Sequence, residues 1–220
     1  MSRFEQLQHK LLGIAFIVGP LLLVMGAAAF LLGIGLSSHG VSSWVEGMLL
    51  ALAFLIFVPL YLHLAALMGE RAPVFGLICT ITGLGIGFGM LPAFSRILQA
   101  GLDQIGVDVA VFSVTGPGAI PLVIWTGLGL LTTILLGVGF LIKGGLPRWT
   151  AVLLILAPIL FVMGQGGDES ISWWRVQIIY PLACVTYFAA LAPIGWRMLT
   201  GAASARADAN DRSGEAVVAG

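Results

Sequence analysis

The chain has 220 residues, 59% hydrophobic and only 9% charged, with zero net charge and a mean hydropathy of +1.07. A soluble domain of this size carries about 25% charged residues. The composition therefore excludes an ordinary water-soluble fold, and the absence of any basic patch excludes a nucleic-acid binder.

A helix rises about 1.5 Å per residue, so roughly 20 apolar residues cross the hydrocarbon layer of a bilayer. The opening MSRFEQLQHK is polar and has no small-residue cleavage site after it. The stretch that follows is too long for a signal-peptide core and reads as a retained span, Leu11–Leu36. The next spans are Glu46–Met68 and Val74–Leu98. From Gln99 to Gly118 runs the longest connection, in which Leu98, Leu102, Ile105 and Val109 recur at helical spacing opposite Gln99, Asp103 and Asp108. That pattern predicts an amphipathic segment on the interface, or an extension of the third span. Ala119–Ile142, Arg148–Met163 and Ile171–Met198 complete the set, the fifth being short and broken by Pro158. The expectation is an all-α fold: a polytopic transmembrane bundle of six spans over residues 1–200. An Ala/Gly/Asp/Ser-rich, disordered cytoplasmic tail follows over 201–220.

Basic residues set the orientation. Arg3, Lys10, Arg71, Lys143, Arg148, Arg197, Arg206 and Arg212 fall on one side, against Arg96 and Arg175 on the other, while acidic residues divide evenly. Both termini are expected in the cytoplasm. Trp44, Trp149, Trp173, Trp174 and Trp196 lie near span ends, as an aromatic belt requires, and Trp125 about two turns in.

Thirty glycines are many for helices. In the third span Gly83 and Gly87, and Gly85 and Gly89, are four apart, which predicts close helix packing on two faces and a central position for this span. Its GIGFG has a superficial likeness to a potassium-channel filter, but Gly85 replaces the filter threonine, Met90 replaces the aspartate, and no separate pore helix precedes it. In the fourth span Gly129, Thr133 and Gly137 form one small-residue stripe. Such glycine faces also suit a homo-oligomer or a membrane partner subunit. Every span holds a proline. Pro20 and Pro121, Pro59 and Pro158, and Pro92 and Pro193 are separated by 101, 99 and 101 residues. That spacing suggests two three-span units, inverted relative to one another, a common transporter plan.

The polar groups collect on the outer face: His39, Glu46, Arg96, Gln99, Asp103, Asp108, Gln165, Asp168, Glu169, Arg175 and Gln177. Glu46, Arg96, Arg175 and Gln177 are the ligand-binding candidates, because a charge at a span end is costly unless paired or wet. The plainer account is solvated interface charges and structural pairs. His39, Glu46, Asp168 and Glu169 lack metal-ligand spacing, and no metal is expected. His63 lies inside an apolar run, where proton relay or haem ligation competes with a neutral histidine bonded to a carbonyl. Haem would want a second axial ligand, and the same side offers only His9. Cys79 and Cys184 read as small buried residues. Enzyme signatures and cofactor fingerprints are missing.

With the six spans, the turn KGGLPRW before the fifth and the SRILQ ending of the third, the chain resembles uncharacterised six-span bacterial integral membrane proteins of unknown function. The likeness covers the second half of the chain and the end of span three. It implies a bacterial inner-membrane protein and carries over no site residue. Two functions follow as expectations. One is a small-solute transporter or channel-like protein with an outward-facing polar vestibule. The other is a non-enzymatic accessory, sensory or assembly subunit of a membrane complex.

Overall fold

The computed structural model describes residues 3–36, 43–107, 119–165 and 174–201. Among the described residues the structure is helical: α1 (Arg3–Leu31), α2 (Trp44–Gly69), α3 (Pro73–Gly83), α4 (Met90–Gln104), α5 (Ala119–Lys143), α6 (Arg148–Gln165) and α7 (Tyr180–Thr200). A 3₁₀ segment, Leu84–Gly89, joins α3 to α4, and a π-helical turn, Arg175–Ile179, leads into α7. Five helical stretches are long and apolar enough to cross a membrane: α1, α2, α3 through α4, α5 from Thr126, and the π turn with α7. The shorter apolar α6, at 18 residues, measures about 27 Å. His39, Asp108, Val109, Asp168, Glu169, Trp173 and the tail from 202 lie outside the described residues, as do the side chains of Trp125 and Gln165.

Consecutive apolar stretches run antiparallel, α3 through α4 counting as one. Gly13 near the start of α1 abuts Gly195 and Leu199 near the end of α7, and Gly26 meets Leu50 at the start of α2. Gly137 of α5 packs on Ala151 and Ile155 of α6, and Gly164 at the end of α6 packs on Tyr180. The beginning of α1 and the end of α7 thus share one end of the bundle, the terminal end, and Glu46 lies at the other. Leu21, Leu52, Leu55, Ile81, Leu131, Val152, Ile159 and Val185 are exposed along the outer wall. A continuous apolar exterior of this kind is stable against lipid and not against water. Trp44, Trp149, Trp174 and Trp196 are exposed near helix ends.

Two expectations change, and an open alternative is resolved. Helix α1 begins at Arg3 and stops at Leu31, eight residues earlier at its start than the apolar run and five earlier at its end. Backbone hydrogen bonding does not require apolar residues, so the polar first turns continue the helix. Gly33 and Gly35 turn the chain at φ of 71° and 68° just past its end. The amphipathic stretch after Leu98 extends the third span as far as Gln104, and Gly106 at φ 74° follows it. The centre of the bundle is α2, not the third span. Phe57, Leu60, Tyr61, Leu64 and Met68 are fully buried, and α2 packs on α1, α3, α4 and α5. The third span contributes few buried residues because its glycines give it close neighbours but little side chain to enclose.

The glycines work inside the bundle. Gly129 lies against the backbone of Gly85 and Ile86, while Gly83, Gly87 and Gly89 approach Tyr61, Val58 and Phe54 of α2. The expected pairing of faces by fours fails here, because 3₁₀ winding has three residues per turn rather than 3.6. Its cause is local. Four glycines in seven residues weaken the α-helix, and Pro92 has no N–H to offer the carbonyl of Phe88 four residues earlier.

Candidate functional site

The Glu46 end of the bundle holds a buried ion pair. Ser43, itself fully buried, caps α2: its hydroxyl accepts from the backbone N–H of Glu46 at 3.1 Å and donates to the carbonyl of Ile34 at 2.6 Å. Ser43 and Glu46 have the spacing of a capping box. The Glu46 carboxylate nevertheless pairs with the guanidinium of Arg96 on α4, with the two side chains 1% and 23% exposed. Gly47 makes the pairing reachable. A Cβ there would stand 2.6 Å from the carbonyl oxygen of Ala93 and 3.0 Å from Arg96 Cβ, so only glycine lets α4 come this close.

Tyr180 is the third member. Its ring is fully buried, held by Gly164, where a Cβ would come within 2.6 Å of the Tyr180 nitrogen. The hydroxyl makes no hydrogen bond of standard geometry, yet lies close enough to Glu46 and Arg96 to feel both charges. It therefore stands beside the ion pair with its proton in no well-formed bond.

The structure brings Glu46 and Arg96 together and places the other two candidates elsewhere. Arg175 Nε donates to the carbonyl of Met163 at 2.9 Å, capping the end of α6, and Gln177 is exposed on the π turn. His63 lies toward the terminal end, half-buried, with its ring edge-on to Phe16 at 6.0 Å. It borders a groove of about 500 Å³ between α1 and α2 lined by Gln8, Leu11, Leu12, Ala15, Pro59 and Leu62, and has His9 and Glu70 as electrostatic neighbours. Among the described residues no three His, Cys, Asp or Glu side chains gather as a metal site.

A line of polar groups below the ion pair escaped the sequence reading. Tyr180, Cys184 and Tyr187 lie on one stripe of α7, all buried. Tyr187 borders the hydroxyls of Tyr61 and Thr133, which share a hydrogen bond of 2.6 Å. Next to it, Thr132 donates to Thr82 at 2.6 Å. Thr133, on the small-residue stripe of α5, also joins α5 to α2 through its hydroxyl. The signal available was the spacing of Tyr180, Cys184 and Tyr187 by four and three residues, which puts three polar atoms on one helical face. Beyond Tyr61, toward the terminal end, Leu64, Met68, Leu136, Phe140 and Leu154 close the core.

Fold and site together define an all-helical protein with several helices suited to a membrane and a buried, tyrosine-flanked Glu–Arg pair near one end. No family model, curated protein or solved structure matches the chain.

Proposed function

We propose that the protein is an integral membrane transporter for a small charged solute, with Glu46, Arg96 and Tyr180 as its binding centre. The observation that carries this reading is the ion pair itself. A buried pair is weak as a device for stability, since two desolvated charges roughly cancel their attraction, and apolar residues of similar volume hold helices together as well or better. Charge inside a membrane bundle accordingly marks a site. Two features beside it favour transport. The third span is interrupted by 3₁₀ winding before Arg96, and π winding precedes Tyr180. Discontinuous helices are the usual walls of transporter sites, and both irregular windings recur at hinges and functional positions.

In this reading all six apolar stretches cross the bilayer, α6 included, both termini are cytoplasmic, and the ion pair faces the outer side of a bacterial inner membrane. The proline spacing fits two inverted three-span halves. The alternative of a partner subunit docked through glycine faces loses ground, because Gly83, Gly87, Gly89, Gly129 and Gly137 all abut helices of the same chain.

The test is thermal unfolding of the full chain in detergent against a panel of amino acids, carboxylates and amines, followed by uptake of any stabilising compound into proteoliposomes. At least one compound should raise the melting temperature, and Arg96→Gln should abolish both the shift and the uptake. A panel in which no class shifts the transition removes the solute site.

A further inference from the structure

We propose, resting on that solute-site reading, that the ligand is a small zwitterion: one carboxylate, one ammonium and an apolar or aromatic remainder. The argument is charge conservation in a medium that cannot solvate a lone ion. The Glu46 carboxylate is 1% exposed and its charge is balanced by Arg96. A monoanion that captured the guanidinium would strand Glu46 away from water. A monocation that captured Glu46 would strand Arg96 in the same way, less severely because Arg96 is partly open. A zwitterion opens the pair and satisfies both halves at once. Its carboxylate accepts from the Arg96 guanidinium while its ammonium donates to Glu46, and the site stays neutral before and after. Without ligand, the two residues neutralise each other.

Tyr180 and the rings beneath it fit the rest of such a molecule. The Tyr180 hydroxyl, buried beside both charges and in no hydrogen bond of standard geometry, is placed to donate to the incoming carboxylate. Leu50 and Phe54 lie one and two turns below Glu46 on the same face of α2. Phe54 meets Phe161 edge-on at 6.1 Å, and Phe161 meets Tyr180 at 5.8 Å. An apolar remainder entering on the α2 side would meet Leu50, Phe54 and Phe161, with the hydroxyls of Tyr61, Tyr187 and Thr133 lying further toward the terminal end. Among the described residues, a doubly charged remainder would meet no further buried charge on that side.

Titration calorimetry on the full chain in detergent decides the matter. The probes are phenylalanine, leucine and 5-aminopentanoate as zwitterions, with 3-phenylpropionate and phenethylamine as singly charged analogues. At least one zwitterion should bind, and the singly charged analogues of phenylalanine should bind about a hundredfold more weakly than phenylalanine itself. Glu46→Gln should invert the preference toward 3-phenylpropionate, and Arg96→Gln toward phenethylamine. Should Arg96→Gln not fold, Glu46→Gln carries the inversion alone, its arginine being partly exposed. Wild-type binding of either analogue as tight as phenylalanine, or an unchanged preference in Glu46→Gln, overturns the zwitterion while leaving a solute site in place. Failure of all the zwitterions overturns it too, and silence across the wider panel removes the site as well.

Discussion

Replacing Arg96 by methionine should destabilise the bundle far more than neutralising its partner, and the double variant should recover much of the loss. The asymmetry comes from exposure: the Glu46 side chain is 1% accessible and the Arg96 side chain 23%. Arg96→Met leaves a carboxylate in a dry site, a change that costs about 3–5 kcal/mol when a buried pair is broken. Glu46→Gln leaves an arginine that can snorkel toward the headgroups, at about 1–2 kcal/mol. With both replaced no charge remains to be desolvated, and the double variant should lie within about 1 kcal/mol of wild type. The pairwise coupling is then about 3–7 kcal/mol, well above the error of a double-mutant cycle. Thermal unfolding in detergent, followed by tryptophan fluorescence, reads this directly. At about 2–4 °C per kcal/mol for a chain of this size, Arg96→Met should lose about 6–20 °C. Equal losses for the two single variants, adding without recovery in the double, would show that the pair is hydrated and refute the reasoning.

Two further predictions concern packing. Gly129→Val should cost at least about 3 kcal/mol, because a Cβ at this position runs into the backbone of Ile86 and Gly85, which no rotamer change can move aside. Gly127→Ala, inside α5 with nothing within 4 Å, should instead leave the melting temperature unchanged or raise it by a few degrees, alanine being the better helix former by about 0.5–1 kcal/mol. Tyr61→Phe should cost about 1 kcal/mol through loss of its bond to Thr133, whereas Tyr187→Phe, which deletes a buried hydroxyl in no hydrogen bond of standard geometry, should be neutral or stabilising in the same thermal assay. A Tyr187→Phe loss as large as that of Tyr61→Phe would mean the hydroxyl is bonded after all.

How much of this was legible in the sequence depended on whether a property is carried by a stretch or by a meeting of stretches. Hydropathy places the apolar helices well, since lipid leaves a backbone little choice but to bond to itself. Start points such as Arg3 were missed because polar residues can continue a helix that apolar ones began. Glu46 and Arg96 stood out as charges at span ends, but nothing in the sequence says they touch; Gly47, which sets that approach, was one glycine among thirty. Tyr180 was missed because its importance comes from Gly164 on another helix. The 3₁₀ winding at Leu84–Gly89 follows from glycine density and Pro92, though the four-residue spacing of those glycines pointed to regular α-helix.

That winding also sets a bearing. Six residues at three per turn complete two revolutions, against about one and two-thirds in an α-helix, so α4 leaves the segment rotated by about 120° and advanced by about 3 Å. The azimuth of Arg96 is inherited from this overwound collar. Were the collar to relax to ordinary pitch, the guanidinium would swing off Glu46 by a third of a revolution. Twist in the third span and closure of the ion pair are therefore one mechanical coordinate, like a screw thread and its latch.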